Sequence, residues 1–229
     1  MKKRISIIIS FLICLFILIN VAFVTIVAKI NNYNKEQSNL IGKIIYIDPG
    51  HGGKDNGASV ENVLEDNINL KISGYLMELL IDSNSQVLIT RTGDYDLASL
   101  YQKNRKREDL KNRVGYINNS KPNIFISIHL NTYSSSNVKG GQAFYQKNDN
   151  SKLLATYIQN EFNELSSLNK KVKFGDYYIL NNTKPVGVLL ECGFLSNKEE
   201  RLNLNEESYQ RKIANKVYKG IIKYFSEVY

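Results

Sequence analysis

The stretch Ile44 to Ala58, I-I-Y-I-D-P-G-H-G-G-K-D-N-G-A, decides how the chain is read. An apolar, β-branched run ends at Asp48-Pro49-Gly50, which is the pattern of a buried strand stopped by a turn. His51 follows at once, and Gly50, Gly52 and Gly53 leave the backbone around it free to bend sharply. A histidine is thereby delivered to the lip of a sheet, where catalytic groups are commonly held. The chain has one other histidine, His129, and it closes a similar run, I-F-I-S-I-H-L-N, from Ile124 to Asn131.

Outward from these two runs, strand-like and helix-like segments alternate. Leu64, Ile68, Ile72, Leu76 and Leu80 recur at steps of four and predict an amphipathic helix over Asn62 to Ile81. Gln86 to Thr90 reads as a strand, and Leu97 to Asn119 as a charged helix whose basic run Lys103 to Arg107 is a solvated face. Gly140-Gly141 opens a strand through Tyr145, and Asn150 to Leu165 is helical. Tyr177 to Leu180 and Val186 to Leu190 read as strands, the latter running into Glu191. The closing helix, Glu206 to Tyr229, carries Tyr209, Ile213, Val217, Ile221 and Tyr224 on one face. This alternation predicts a single α/β domain with a sheet covered on both faces.

Ahead of the domain, Lys2-Lys3-Arg4 precede Ile5 to Ala28, 24 residues without a charge. As a helix this segment is about 36 Å long, enough for a bilayer core of about 30 Å. A cleaved signal peptide is the rival reading, but the run is long for one and lacks a small-x-small cleavage site. The expected organisation is a membrane anchor or uncleaved signal over 1–28, a polar linker over 29–42 and a catalytic domain over 43–229. The basic flank predicts that this domain lies on the extracytoplasmic face.

Three of the 30 basic residues and none of the 22 acids precede the span, so the remainder carries +5. That excess is spread out and not interleaved with aromatics, which argues against nucleic acid and for anionic polymers or surfaces. Cys14 lies in the apolar span and Cys192 stands alone in the domain, so a domain disulfide and a cysteine-based zinc cluster are excluded.

Four polar residues occupy positions where the pattern calls for apolar or turn residues: His51, Glu65, His129 and Glu191. Helical spacing puts Glu65 on the inward face of its helix, where a carboxylate is costly without a partner. Taken singly, each has an ordinary explanation: a satisfied strand-end histidine, or a glutamate favoured by a helix N-terminus. Taken together, two imidazoles and a carboxylate match a catalytic zinc site with an open position, leaving one carboxylate as general base. The separations of 14 and 64 residues match no local metal motif, so the residues alone leave both readings open.

The ordered set D-P-G-H-G-G-x-D-x-G-A, E-D-N-I-N-L (Glu65 to Leu70), S-I-H-L-N (Ser127 to Asn131) and L-L-E-C-G-F-L-S-N (Leu189 to Asn197) resembles the zinc-dependent N-acetylmuramoyl-L-alanine amidases of the amidase-3 type. T-R-T-G-D (Thr90 to Asp94), L-x-x-R-x-x-x-x-N (Leu110 to Asn118) and G-G-Q-A-F-Y (Gly140 to Tyr145) add to the resemblance, which spans Lys43 to the C-terminus. It implies a mixed, twisted sheet of about six strands. It also implies one zinc ion on His51, Glu65 and His129, and Glu191 as catalytic glutamate. The implied reaction is hydrolysis of the amide between the lactyl group of N-acetylmuramic acid and L-alanine in peptidoglycan. Asn131 is a candidate substrate contact. A bare catalytic domain behind an apolar segment resembles the amidases that prepare spore cortex for germination. The absence of wall-binding modules leads us to expect an accessory protein at the membrane surface that activates the site or stabilises zinc. The alternatives are a silent peptidoglycan-binding or hydrolase-recruiting domain, and a zinc peptidase acting on the stem peptide.

Overall fold

A computed structural model describes residues 12–28, 40–101 and 103–228. The chain divides into two units, Met1–Asn39 and Leu40–Tyr229. In the first, residues 12–28 form helix α1. No helix among the described residues is long and apolar enough to cross a membrane. The expected 24-residue span began at Ile5, and residues 5–11 and the linker residues 29–39 lie outside the described residues.

The second unit carries, in chain order, β1 (Ile44–Pro49), the small strands β2 (Ser59–Val60) and β3 (Val63–Leu64), α2 (Glu65–Asp82), β4 (Gln86–Ile89), α3 (Arg105–Ser120), β5 (Ile124–Asn131), β6 (Gln142–Tyr145), α4 (Asp149–Ser166), β7 (Lys173–Phe174), α5 (Tyr178–Asn182), β8 (Val186–Phe194), α6 (Lys198–Leu204) and α7 (Glu207–Val228). Six strands form one mixed sheet in the order β4-β1-β5-β8-β6-β7. Strands β4, β1, β5 and β8 run parallel, β6 is antiparallel to β8, and β7 is parallel to β6.

Period-two alternation sorts the side chains onto two unequal faces. Ile45, Ile47, Ile126, Ile128, Val188 and Leu190 point into the larger core, which α2, α4 and α7 cover. Tyr46, Phe125 and Leu189 point the other way, toward Ile117 of α3 and Ile179 and Leu180 of α5. Asp48, Ser127, His129 and Glu191 continue that second alternation. His129 and Glu191 are register partners on adjacent strands. The polar residues thus collect at the carboxyl end of the strands, on the more thinly covered face, where ligands are expected in open α/β sheets.

Several expected elements differ. The helix predicted from Asn62 begins at Glu65, because Ser59 to Leu64 form a two-residue hairpin. Glu61 and Asn62 at its tip both have positive φ, 50° and 64°, as a type I′ turn requires. Leu97 to Tyr101 is a loop tied to α3 by side chains, and Asn104 caps the helix at the Arg107 amide. Tyr177 to Leu180 is not a strand: α5 begins at Tyr178, while the sheet edge beside β6 is taken by β7. A four-residue apolar run carries no period that separates the two forms. Helix α6, capped by Asn197 at the Glu200 amide, lies ahead of the closing helix expected from Glu206, in a stretch where no element was expected.

Candidate active site

His51 sits in the turn after β1 in a left-handed conformation, φ 61°. Such strain in a non-glycine residue persists only where its surroundings impose it. Two buried arginines do so. Arg113 of α3 donates through Nη1 to the Pro49 carbonyl (2.6 Å) and through Nη2 to the His51 carbonyl (2.6 Å). Arg91, from the loop after β4, donates to the carbonyls of Pro49 (3.1 Å), Gly50 (2.9 Å) and Asp66 (2.8 Å). Asp48 anchors Arg113 at 2.8 Å and accepts from Ser127 (2.7 Å) and Thr90 (2.8 Å), while Asp109 holds the Arg113 Nε at 2.7 Å. Burial pushes the Asp48 carboxyl up, but Arg113 and the two hydroxyls outweigh it and hold it below the usual range.

Glu65 is the first residue of α2 and almost fully buried. Its Oε1 lies 3.2 Å from His51 Nε2 and 3.0 Å from His129 Nδ1, and accepts the Leu130 amide at 3.0 Å. Its Oε2 accepts the Ala58 amide at 2.7 Å. Burial raises the carboxyl, but the hydrogen bonds and charges of His129 and His51 reverse the effect, and it stays far below its usual range. The loop leading to the hairpin presses closely on this group. A Cβ added at Gly57, where φ is 66°, would lie 2.5 Å from Glu65 Oε2 and 2.7 Å from the His51 ring.

On its other side His51 donates Nδ1–H to Asp55, 3.0 Å away, which fixes the tautomer and leaves Nε2 facing Glu65. Burial lowers the His51 pKa, but Glu65 and Asp55 together raise it above its ordinary value. Two members of the basic run predicted as a solvated face come back to this rim. Lys106 pairs with Asp55 at 3.4 Å, and Arg105 with Asp96.

The structure brings His51, Glu65 and His129 together, with one ligand atom from each lying within 4.8 Å of the others. A tetrahedral zinc ion with bonds of about 2.0–2.1 Å spaces its ligand atoms about 3.3 Å apart. The two His–Glu separations, 3.2 and 3.0 Å, come close to that spacing. The donor set, two imidazoles and a carboxylate, suits zinc, so the residues fit the ion. Glu191 is not in this trio. It is 7% exposed, and its Oε2 has no hydrogen-bond partner among the described residues. Burial first, then the nearby Glu65 charge, push its pKa up to about 7 against the pull of the two histidines. Asn131, at the end of β5, does not join the trio either and lines a neighbouring groove.

Sequence reasoning missed Asp55, Arg91 and Arg113 as parts of the site. Asp55 lies four residues after His51 inside the opening motif, so the spacing was visible there. The arginines act across 25 to 64 residues, on carbonyls that no side-chain pattern reports.

A mixed sheet that presents two imidazoles, a buried carboxylate and a second buried carboxylate offers the residue types of a hydrolase with a place for a metal ion. Comparison with known proteins makes the class specific: residues 45–223 match the N-acetylmuramoyl-L-alanine amidase family, and the chain belongs to it. It is 43% identical over 195 residues to the germination-specific N-acetylmuramoyl-L-alanine amidase of Bacillus subtilis (strain 168), covering 82% of each chain. Among solved structures it resembles the CwlD amidase from Clostridioides difficile, determined in complex with the GerS lipoprotein. That match has a TM-score of 0.78 and 41% identity, over 81% of this chain and 100% of the other. The catalytic domain of CwlV, an amidase from Bacillus (Paenibacillus) polymyxa var. colistinus, matches with a TM-score of 0.71 and 31% identity, over 80% and 98%.

Proposed function

We propose that the chain hydrolyses the amide between the lactyl group of N-acetylmuramic acid and L-alanine in peptidoglycan, and that it serves in spore-cortex maturation. His51, Glu65 and His129 hold one zinc ion, and Glu191 carries the proton. When bound, zinc acidifies a water and polarises the scissile carbonyl. The rest of the chemistry falls to the protein. Asp55 keeps the His51 Nδ1 protonated, so that Nε2 offers its lone pair. Arg91 and Arg113 hold the His51 turn in its strained form. Glu191, poised near neutral pH, takes a proton from the attacking water and returns it to the departing alanine nitrogen.

The observation that carries this reading is the convergence of two half-buried histidines on buried Glu65, beside a buried carboxylate that stands in register with one of them and whose Oε2 has no hydrogen-bond partner among the described residues. The spore role draws on the germination-specific relative. An accessory protein draws on the relative solved with a lipoprotein, and its job would be to stabilise zinc or order the loops. Membrane anchoring through residues 1–28 and action on the extracytoplasmic face draw on the uncharged stretch Ile5 to Ala28 behind its basic flank.

The test is the identity of the product. Incubation of the zinc-loaded chain with purified peptidoglycan should release stem peptides with a free L-alanine amine, seen by mass spectrometry. Cuts within the stem would make it a peptidase. Intact material that merely co-sediments with the chain would make it a binding domain.

A further inference from the structure

Two hollows flank the proposed metal trio on the same face of the sheet, and their charges differ. The smaller, about 130 Å³, is lined by Asp48, Asp55 and Asp109 as well as Lys106 and Arg113, so its charges largely cancel. The larger, about 570 Å³, is lined by Lys170, Lys171 and Lys173 and by no carboxylate. It opens beside Glu191: Gln142, in its wall, is the register partner of Glu191, and Phe194 lies three residues further along β8. Lys173 pairs in register with Phe144, another wall residue, so it stands on the same face as Glu191. Lys171 and Lys173 are exposed, and among the described residues neither ammonium has an ion-pair partner. Lys170 is half-buried, its ammonium donating to the Gly140 carbonyl at 2.5 Å and lying 4.9 Å above the Phe194 ring.

We propose that this groove receives the carboxylate-bearing part of the stem peptide, with Lys171 and Lys173 pairing with its free carboxylates. The proposal rests on the amidase reading, since it takes Glu191 as the point of cutting. The reach fits: from β8 across β6 to β7 is two strand spacings, about 10 Å, and three extended residues span about 10 Å. Cations without local partners give up no existing ion pair when an anion arrives, so their attraction goes to the ligand. The half-buried Lys170, braced between a carbonyl and a ring, forms the floor and sets the potential of the groove.

The experiment measures binding of a fluorescent L-alanyl-γ-D-glutamyl peptide with a free α-carboxylate to the full-length chain, beside its carboxamide counterpart. Lys171→Gln with Lys173→Gln should weaken binding of the carboxylate peptide about tenfold, and added salt should weaken wild-type binding. The carboxamide peptide should bind weakly to both. Lys147→Gln with Lys152→Gln removes the same charge from the opposite sheet face, beside Phe174, and should leave binding unchanged. Equal affinity of wild type and the groove variant, equal loss in both double variants, or no binding at all would overturn the proposal. Product formation by the wild type is scored separately. Lysine-dependent binding without hydrolysis would sink the amidase reading and leave the groove standing.

Discussion

Replacing Glu191 with glutamine should lower activity steeply and, in the metal-free chain at neutral to alkaline pH, raise stability. Glu191 is buried, its Oε2 is unpartnered, and its pKa lies near 7, against an ordinary 4.5. An acid whose folded pKa exceeds its unfolded one binds more protons when folded, so stability falls as pH rises from about 4.5 to about 7. At 1.36 kcal/mol per pH unit, the full difference is about 3 kcal/mol above pH 7, and it vanishes below about pH 4. Glutamine has the shape of the protonated acid and titrates no proton. For a domain of this size, about 3 kcal/mol corresponds to roughly 6–12 °C in melting temperature. Thermal melts with a chelator should therefore show Glu191→Gln above wild type at pH 8 and level with it at pH 4. The same substitution should lower kcat about 10²- to 10⁴-fold while zinc still binds. A variant that melts with wild type at pH 8, or that retains activity, would refute the reasoning.

Other expectations follow from the same geometry. Asp55→Ala removes the acceptor that orients His51 and should lower zinc affinity about 10- to 100-fold, measured by competition with a chromophoric chelator. Arg113→Met leaves Asp48 and Asp109 buried without their cation, and chemical denaturation should record a loss of about 3–5 kcal/mol. In the metal-free chain the raised His51 pKa contributes stability that is complete below its unfolded value of about 6.5 and is lost as pH rises through the folded value. Zinc must displace that proton, so calorimetry in buffers of different ionisation enthalpy should record proton release on binding that diminishes as pH rises.

Much of the proposed site was legible because the four residues assigned to it break local patterns. His51 and His129 terminate apolar runs, Glu65 occupies a core face, and Glu191 extends a strand, so each was anomalous where it stood. What joins them is long-range. His129 meets Glu191 through a strand register that runs unbroken from Ile124 with Val186, by way of the apolar pairs Ile126 with Val188 and Ile128 with Leu190, to His129 with Glu191. The hairpin before α2 was hidden because Glu61-Asn62 is an unusual pair for a turn that needs positive φ at both positions. Helix α5 was hidden because Tyr177 to Leu180 is too short to show a period, and its role is to bury Ile179 and Leu180 against Phe125 and Leu189. The left-handed His51 was signalled only by the glycines beside it, and the arginines that hold it were visible as residues but not as partners.

The most direct test of the central claim is activity against zinc occupancy in one preparation. The full-length chain is stripped with a chelator, reloaded in steps, and assayed on peptidoglycan by release of peptides beginning at L-alanine. The account predicts no release from the stripped chain, a rise that saturates at one zinc per chain, and no restoration in His51→Ala, Glu65→Gln or His129→Ala at that loading. Full release from the stripped chain, or saturation at one zinc in any of those variants, would contradict it.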